Sequence, residues 1–120
     1  MMYVDFTAGN KEYKLRLSTR NTVALEKKIG CNPLAIFGSG ESIPTVTTMV
    51  YILFYSLQQY NHSISFEDTY DIFERWLEDG NTTTDFINVI VDIYKVSGIM
   101  KDKARTTDTD EEAEGEEKNE

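Results

Sequence analysis

A chain of 120 residues suffices for one domain, and 40% hydrophobic with 28% charged residues is an ordinary globular balance. The formal net charge of −9 argues against nucleic acid and anionic lipid as partners, since both select a basic footprint. Cys31 is the only cysteine, which excludes an intrachain disulfide, a CxxC pair and a zinc cluster and suits a reducing compartment. The first residues, "MMYVDFTAGNKEYK", show no basic region leading into an apolar stretch, so no secretory signal is expected.

Residues 3–17 read as a β-hairpin. Val4, Phe6 and Ala8 alternate with Tyr3, Asp5 and Thr7; beyond Gly9-Asn10 the alternation resumes, with Tyr13, Leu15 and Leu17 against Lys14 and Arg16. Gly and Asn tolerate the positive φ of a tight turn. A lone hairpin is marginal in water, so its apolar face is expected to rest on helices.

The first helix is predicted over Thr19–Ile29, opened near Ser18 and Thr19 and closed by Gly30, with Val23, Leu25 and Ile29 facing one way. "CNPLAIF" reads as a helical stub with Pro33 at its first position. "GSGES" at 38–42 is a connector, and no Lys-Ser/Thr follows it to make a phosphate loop.

The second helix begins near Pro44 and holds the longest apolar run, Met49–Tyr55. A membrane span needs about 20 apolar residues, and threonines before the run and Gln58, Gln59, Asn61 and His62 after it leave it too short. On a helical wheel, Val46, Met49, Val50, Leu53, Leu57 and Tyr60 form the core stripe, and Tyr51, Ile52 and Tyr55 fall outside it.

Ser65 can cap a third helix that ends at Gly80. Its stripe is Phe66, Tyr70, Phe73 and Leu77, widened by Ile72 and Trp76. The fourth helix, Thr83–Ser97, turns Phe86, Val89, Ile90 and Ile93 inward and carries Ile87, Val91 and Tyr94 as a second row before Gly98 stops it. From 101 the composition changes, and acids at 108, 110, 111, 112, 114, 116, 117 and 120 face only Lys118. Such a segment cannot bury enough surface to offset its ordering entropy. The expected fold is mainly α (α+β): an N-terminal β-hairpin and a bundle of about four helices in a single domain, 1–100, followed by a disordered acidic C-terminal tail, 101–120.

No catalytic constellation emerges, and no enzyme, cofactor or metal is expected. His62 is the only histidine, with neither a nucleophile elbow nor a second soft ligand to serve. Cys31 reads as a small, partly buried filler. Glu67, Asp71, Glu74 and Glu78 share one face of the third helix. A solvated face is the plain reading of that row; an acidic rail for a basic partner is the sharper one.

Apolar excess is the unusual feature, because a small two-layer domain uses one face per helix. Tyr51, Ile52, Tyr55, Trp76, Ile87, Val91 and Tyr94 are therefore the candidate partner-binding residues. They either belong to centrally buried helices or line an aromatic groove for a partner helix.

The blocks "LEKKIGCNPLAIFG" and "FEDTYDIFERWLEDG", then "DFINVIVDIYKVSG", taken in order over residues 11–98, resemble the tail assembly chaperones of long-tailed phages and prophages of Gram-positive bacteria. The resemblance implies a chaperone that coats the long, helical tape measure protein and keeps it soluble. It also implies recruitment of the major tail tube protein, with a frameshifted, extended form as the candidate link. Such a protein would act in the host bacterial cytoplasm and leave before the virion is finished. The alternative reading is a self-associating structural protein of a phage or prophage particle, burying the same apolar rows against its own copies.

Overall fold

The computed structural model describes residues 2–38 and 43–101. Strands β1 (Val4–Ala8) and β2 (Lys11–Leu15) pair antiparallel, Phe6 opposite Tyr13 and Ala8 opposite Lys11. Gly9 and Asn10 connect them at φ 59° and 71°, the doubly positive conformation whose twist matches that of the flanking strands. Phe6, Ala8, Tyr13 and Leu15 are buried, whereas Asp5, Thr7, Glu12 and Lys14 are exposed, as a half-buried hairpin requires.

Four α-helices follow, each opened by a hydroxyl side chain. α1 (Thr19–Ile29) is capped by Ser18 and closed by left-handed Gly30, and a short 3-10 helix, Pro33–Phe37, comes next. α2 (Val46–Leu57) begins at Thr45. α3 (Phe66–Glu78) and α4 (Thr83–Val96) start with reciprocal capping boxes, Ser65 with Asp68 and Thr82 with Asp85. These boxes satisfy amide N–H groups that the first helical turn leaves without partners. Hydrogen bonds from the Ser65 backbone and then its hydroxyl hold the Asp68 carboxyl below its ordinary range.

α2 is the central element, packed against α1, α3, α4 and β2, while α3 and α4 also cover β1. The open edge of β2 is tied to the end of α2. The Arg16 N–H donates to the Ser56 carbonyl at 2.8 Å, and Asn61 Nδ2 donates to the Lys14 carbonyl at 3.1 Å. Beneath the hairpin lies an aromatic core: Phe6 stacks on Trp76 at 5.6 Å, and Phe86 meets Trp76 and Phe73 edge-on at 5.4 and 5.1 Å. Rings in these offset and edge-to-face arrangements add to what their burial contributes.

The expected hairpin and four helices are present, but several side chains face differently from their wheel positions. Ile52 and Tyr94 are core residues, each at 0% exposure, because α2 is enclosed on several sides and α4 lies beneath the hairpin. Trp76, at 6%, is buried with the stripe it widens, stacked on Phe6, and offers no free surface to a partner. α3 is turned so that Thr69, Ile72, Phe73 and Trp76 are buried while Tyr70 points out, 49% exposed. α2 ends at Leu57, leaving Tyr60 beyond it and exposed, as are Val46 and Val23. Cys31 is exposed rather than partly buried. The connector at 39–42 and the acidic tail from 102 lie outside the described residues. Among those described, no helix is long and apolar enough to cross a membrane.

Candidate functional site: an aromatic cleft between α2 and α3

α2 contains no charged residue in Val46–Leu57, and α3 turns an aromatic flank toward it. Between them opens a cleft of about 320 Å³. Val50 and Phe73, both buried, contribute apolar surface to its lining, together with Tyr51 and Val46 from α2 and Phe66, Tyr70 and Leu77 from α3. Glu74, together with Thr47 and Thr83, supplies polar atoms to the lining.

The rings form a continuous ladder. Tyr51 stacks on Phe66 with centroids 4.9 Å apart, and Tyr70 meets Phe66 edge-on at 5.1 Å. Phe54 contacts Phe66 at 5.4 Å and Tyr55 at 4.9 Å, carrying the ladder along α2. Such rings are rigid and broad and, in the tyrosines, carry a polar tip, which suits them to contact a partner while standing in water.

Of the seven residues singled out from sequence, the structure brings Tyr51 and Tyr55 into this ladder, both half-buried. Ile87 and Val91 are half-buried on α4, one and two turns beyond Thr83. Neither belongs to the lining of the cleft. Ile52, Trp76 and Tyr94 belong to the core. Sequence reasoning placed Phe66, Tyr70 and Leu77 in a core stripe and so missed them as site residues. The available signal was their neighbourhood: on the α3 wheel they border directly on the acids at 67, 74 and 78.

Other features assemble no chemistry. His62 and Cys31 are both exposed and lie on separate connections of the chain. Among the described residues no group of three His, Cys, Asp or Glu side chains is placed to hold a metal ion. A second cleft, about 280 Å³, lies beside the hairpin and is lined by Asp5, Glu12, Tyr13, Lys14, Tyr60 and Asn61. Its polar groups are of mixed sign, and Lys14 Nζ lies 5.2 Å from the centre of the Tyr3 ring.

Fold and cleft together define a small hairpin-and-helix domain with an aromatic cleft between α2 and α3. The chain belongs to a family of unknown function (DUF6096), which it matches over residues 4–118. Comparison with curated proteins found no match, and comparison with solved structures found none.

Proposed function

We propose that the protein is a non-catalytic tail assembly chaperone that binds the tape measure protein of a long-tailed phage or prophage. It keeps this client soluble and helps recruit tail tube subunits in the host bacterial cytoplasm, and it leaves before the virion is complete. The observation that carries the reading is the partly exposed ladder Tyr51–Phe66–Tyr70 beside the uncharged helix α2. The resemblance of residues 11–98 to that chaperone family supplies the identity of the client.

The physical argument concerns what a long helical client lacks. An amphipathic helix without its partners exposes an apolar row, and a groove that accepts such a row suppresses aggregation. Each aliphatic or aromatic anchor buried in the cleft contributes roughly 1.5–3 kcal/mol, so a few anchors suffice for reversible binding. The net charge of −9 keeps the loaded complex dispersed.

The test is co-expression with the tape measure protein of the same phage or prophage. The expected result is a client that stays soluble and co-purifies with the chaperone. A client that stays insoluble while the chaperone sediments as a stable oligomer with the cleft protected would assign the cleft to self-association instead.

A further inference from the structure

One rim of the α2–α3 cleft is built of carboxylates. At 100° per residue, Phe66, Tyr70, Phe73 and Leu77 occupy the cleft side of α3, and Glu67, Asp71, Glu74 and Glu78 follow immediately on the solvent side. All four acids are exposed, and Glu74 also lines the cleft. α2 brings no charge, and among the described residues no Lys, Arg or His lines the cavity. The apolar strip therefore has a field of one sign along its outer edge.

The spacing of this edge is that of a helix. Positions 67, 71, 74 and 78 repeat at i, i+4, i+7 and i+11, and at 1.5 Å per residue they extend about 16 Å along α3. Three turns of a second helix cover the same length, so cations repeating at that interval would each meet a carboxylate. The acids from 108 to 120 carry the same sign as this rim and would be repelled by it.

We infer that the cleft takes an amphipathic helix of another protein whose apolar row is flanked on one side by lysine or arginine. The apolar row packs into the cleft against the faces of Tyr51, Phe66 and Tyr70, and the basic flank lies along Glu67, Asp71, Glu74 and Glu78. The rim sets orientation and speeds encounter, while the rings hold the complex together. The inference rests on the cleft being the client site of the proposed chaperone, and it specifies which client segments are held.

The experiment uses the full chain and three synthetic peptides, read by fluorescence anisotropy. One peptide has a leucine row at i, i+4, i+7 and i+11 with lysines along one flank. The second has the same row flanked by glutamates, and the third has the lysine peptide's composition with the row scrambled. The lysine-flanked peptide is expected to bind at least about tenfold more tightly than either control, and to weaken as salt rises from about 50 to about 500 mM. A triple variant Glu67→Gln/Glu74→Gln/Glu78→Gln should lose about fivefold or more of that affinity. The variant Asp5→Asn/Glu12→Gln/Asp92→Asn, with the same change in net charge, should keep it.

Equal binding of the lysine and glutamate peptides, or equal losses in the two triple variants, would overturn the inference. Its failure is distinct from that of the chaperone reading. If the tape measure protein co-purifies but the peptides are not discriminated, the charge rule falls alone. If the peptides are discriminated but that protein is not held, the rule stands and the identity of the client falls.

Discussion

The phenol of Tyr94 on α4 donates a 2.9 Å hydrogen bond to the carbonyl oxygen of Pro33, deep between α4 and the short 3-10 helix. Tyr94 is fully buried, with Phe37 meeting its ring edge-on at 6.1 Å. This contact joins segments 61 positions apart in sequence and makes Tyr94 a structural residue. Tyr94→Phe keeps the ring but removes this hydrogen bond from a carbonyl that also serves the 3-10 helix. It should cost about 0.5–1.5 kcal/mol, read as a lower urea midpoint at unchanged slope. Client binding at saturating protein should be unaffected.

The same burial makes stability sensitive to alkali. Desolvation, and secondarily the neighbouring Cys31, raises the Tyr94 hydroxyl far above its ordinary value. A raised group contributes stability that is fully present below its unfolded pKa, about 10 for tyrosine, and lost as pH rises through the folded value. Unfolding free energy should therefore decline from about pH 10 upward, and Tyr94→Phe should flatten that decline. Tyr13, also raised chiefly by desolvation, accounts for part of the slope that remains. An alkaline titration of both proteins by urea denaturation measures the difference.

At the tip of the hairpin, the Gly9 N–H donates to Asp79 Oδ2 at 2.8 Å, fixing the turn against the end of α3. Gly9 has φ 59°, and a Cβ there would lie 2.9 Å from Cδ of Arg75. The arginine is flexible and can move aside, so the left-handed backbone dominates the penalty. Gly9→Ala should destabilise by about 1–2 kcal/mol. Asn10→Gly, at φ 71°, should change stability by less than about 0.5 kcal/mol, because relief of the backbone offsets the added unfolded-state entropy. Thermal melts of the two variants give the comparison.

Local signals and tertiary ones were unequally legible in the sequence. The hairpin could be read because a two-residue period and Gly9-Asn10 leave few other conformations for 4–15. Helix starts could be read because Ser18 and Ser65 act within their own turn. The facing of α3 could not, because a wheel describes circumference and not which side the neighbours take. Thr69 is buried at no polar cost since its hydroxyl donates to the Ser65 carbonyl at 2.9 Å, and the larger Tyr70 is left outside. Ile52 and Tyr94 were counted as surplus for the same reason: enclosure of α2 by α1, α3, α4 and β2 is a property of the assembled domain. Tyr51 and Tyr55, which fall off the core stripe of an uncharged helix, are half-buried beside Phe66 and Phe54.

This division between surface and core rings predicts opposite outcomes for changes of similar size on neighbouring turns. Trp76 touches Phe6, Phe73 and Phe86, and Trp76→Ala should cost about 3–5 kcal/mol, a large part of the stability of a domain this small. Tyr94→Asp should unfold the protein outright, since it places a carboxylate where no water reaches. Tyr70→Asp alters a ring that is 49% exposed and packs mainly on Phe66, so circular dichroism should show an intact fold and a melting temperature within a few degrees of the parent. Its effect should instead appear in binding. The new charge extends the acidic rim onto the apolar strip and removes one rung of the ladder, so the soluble yield of a co-expressed helical client should drop several-fold. If Tyr70→Asp folds and holds the client as well as the parent does, the cleft is not the client site.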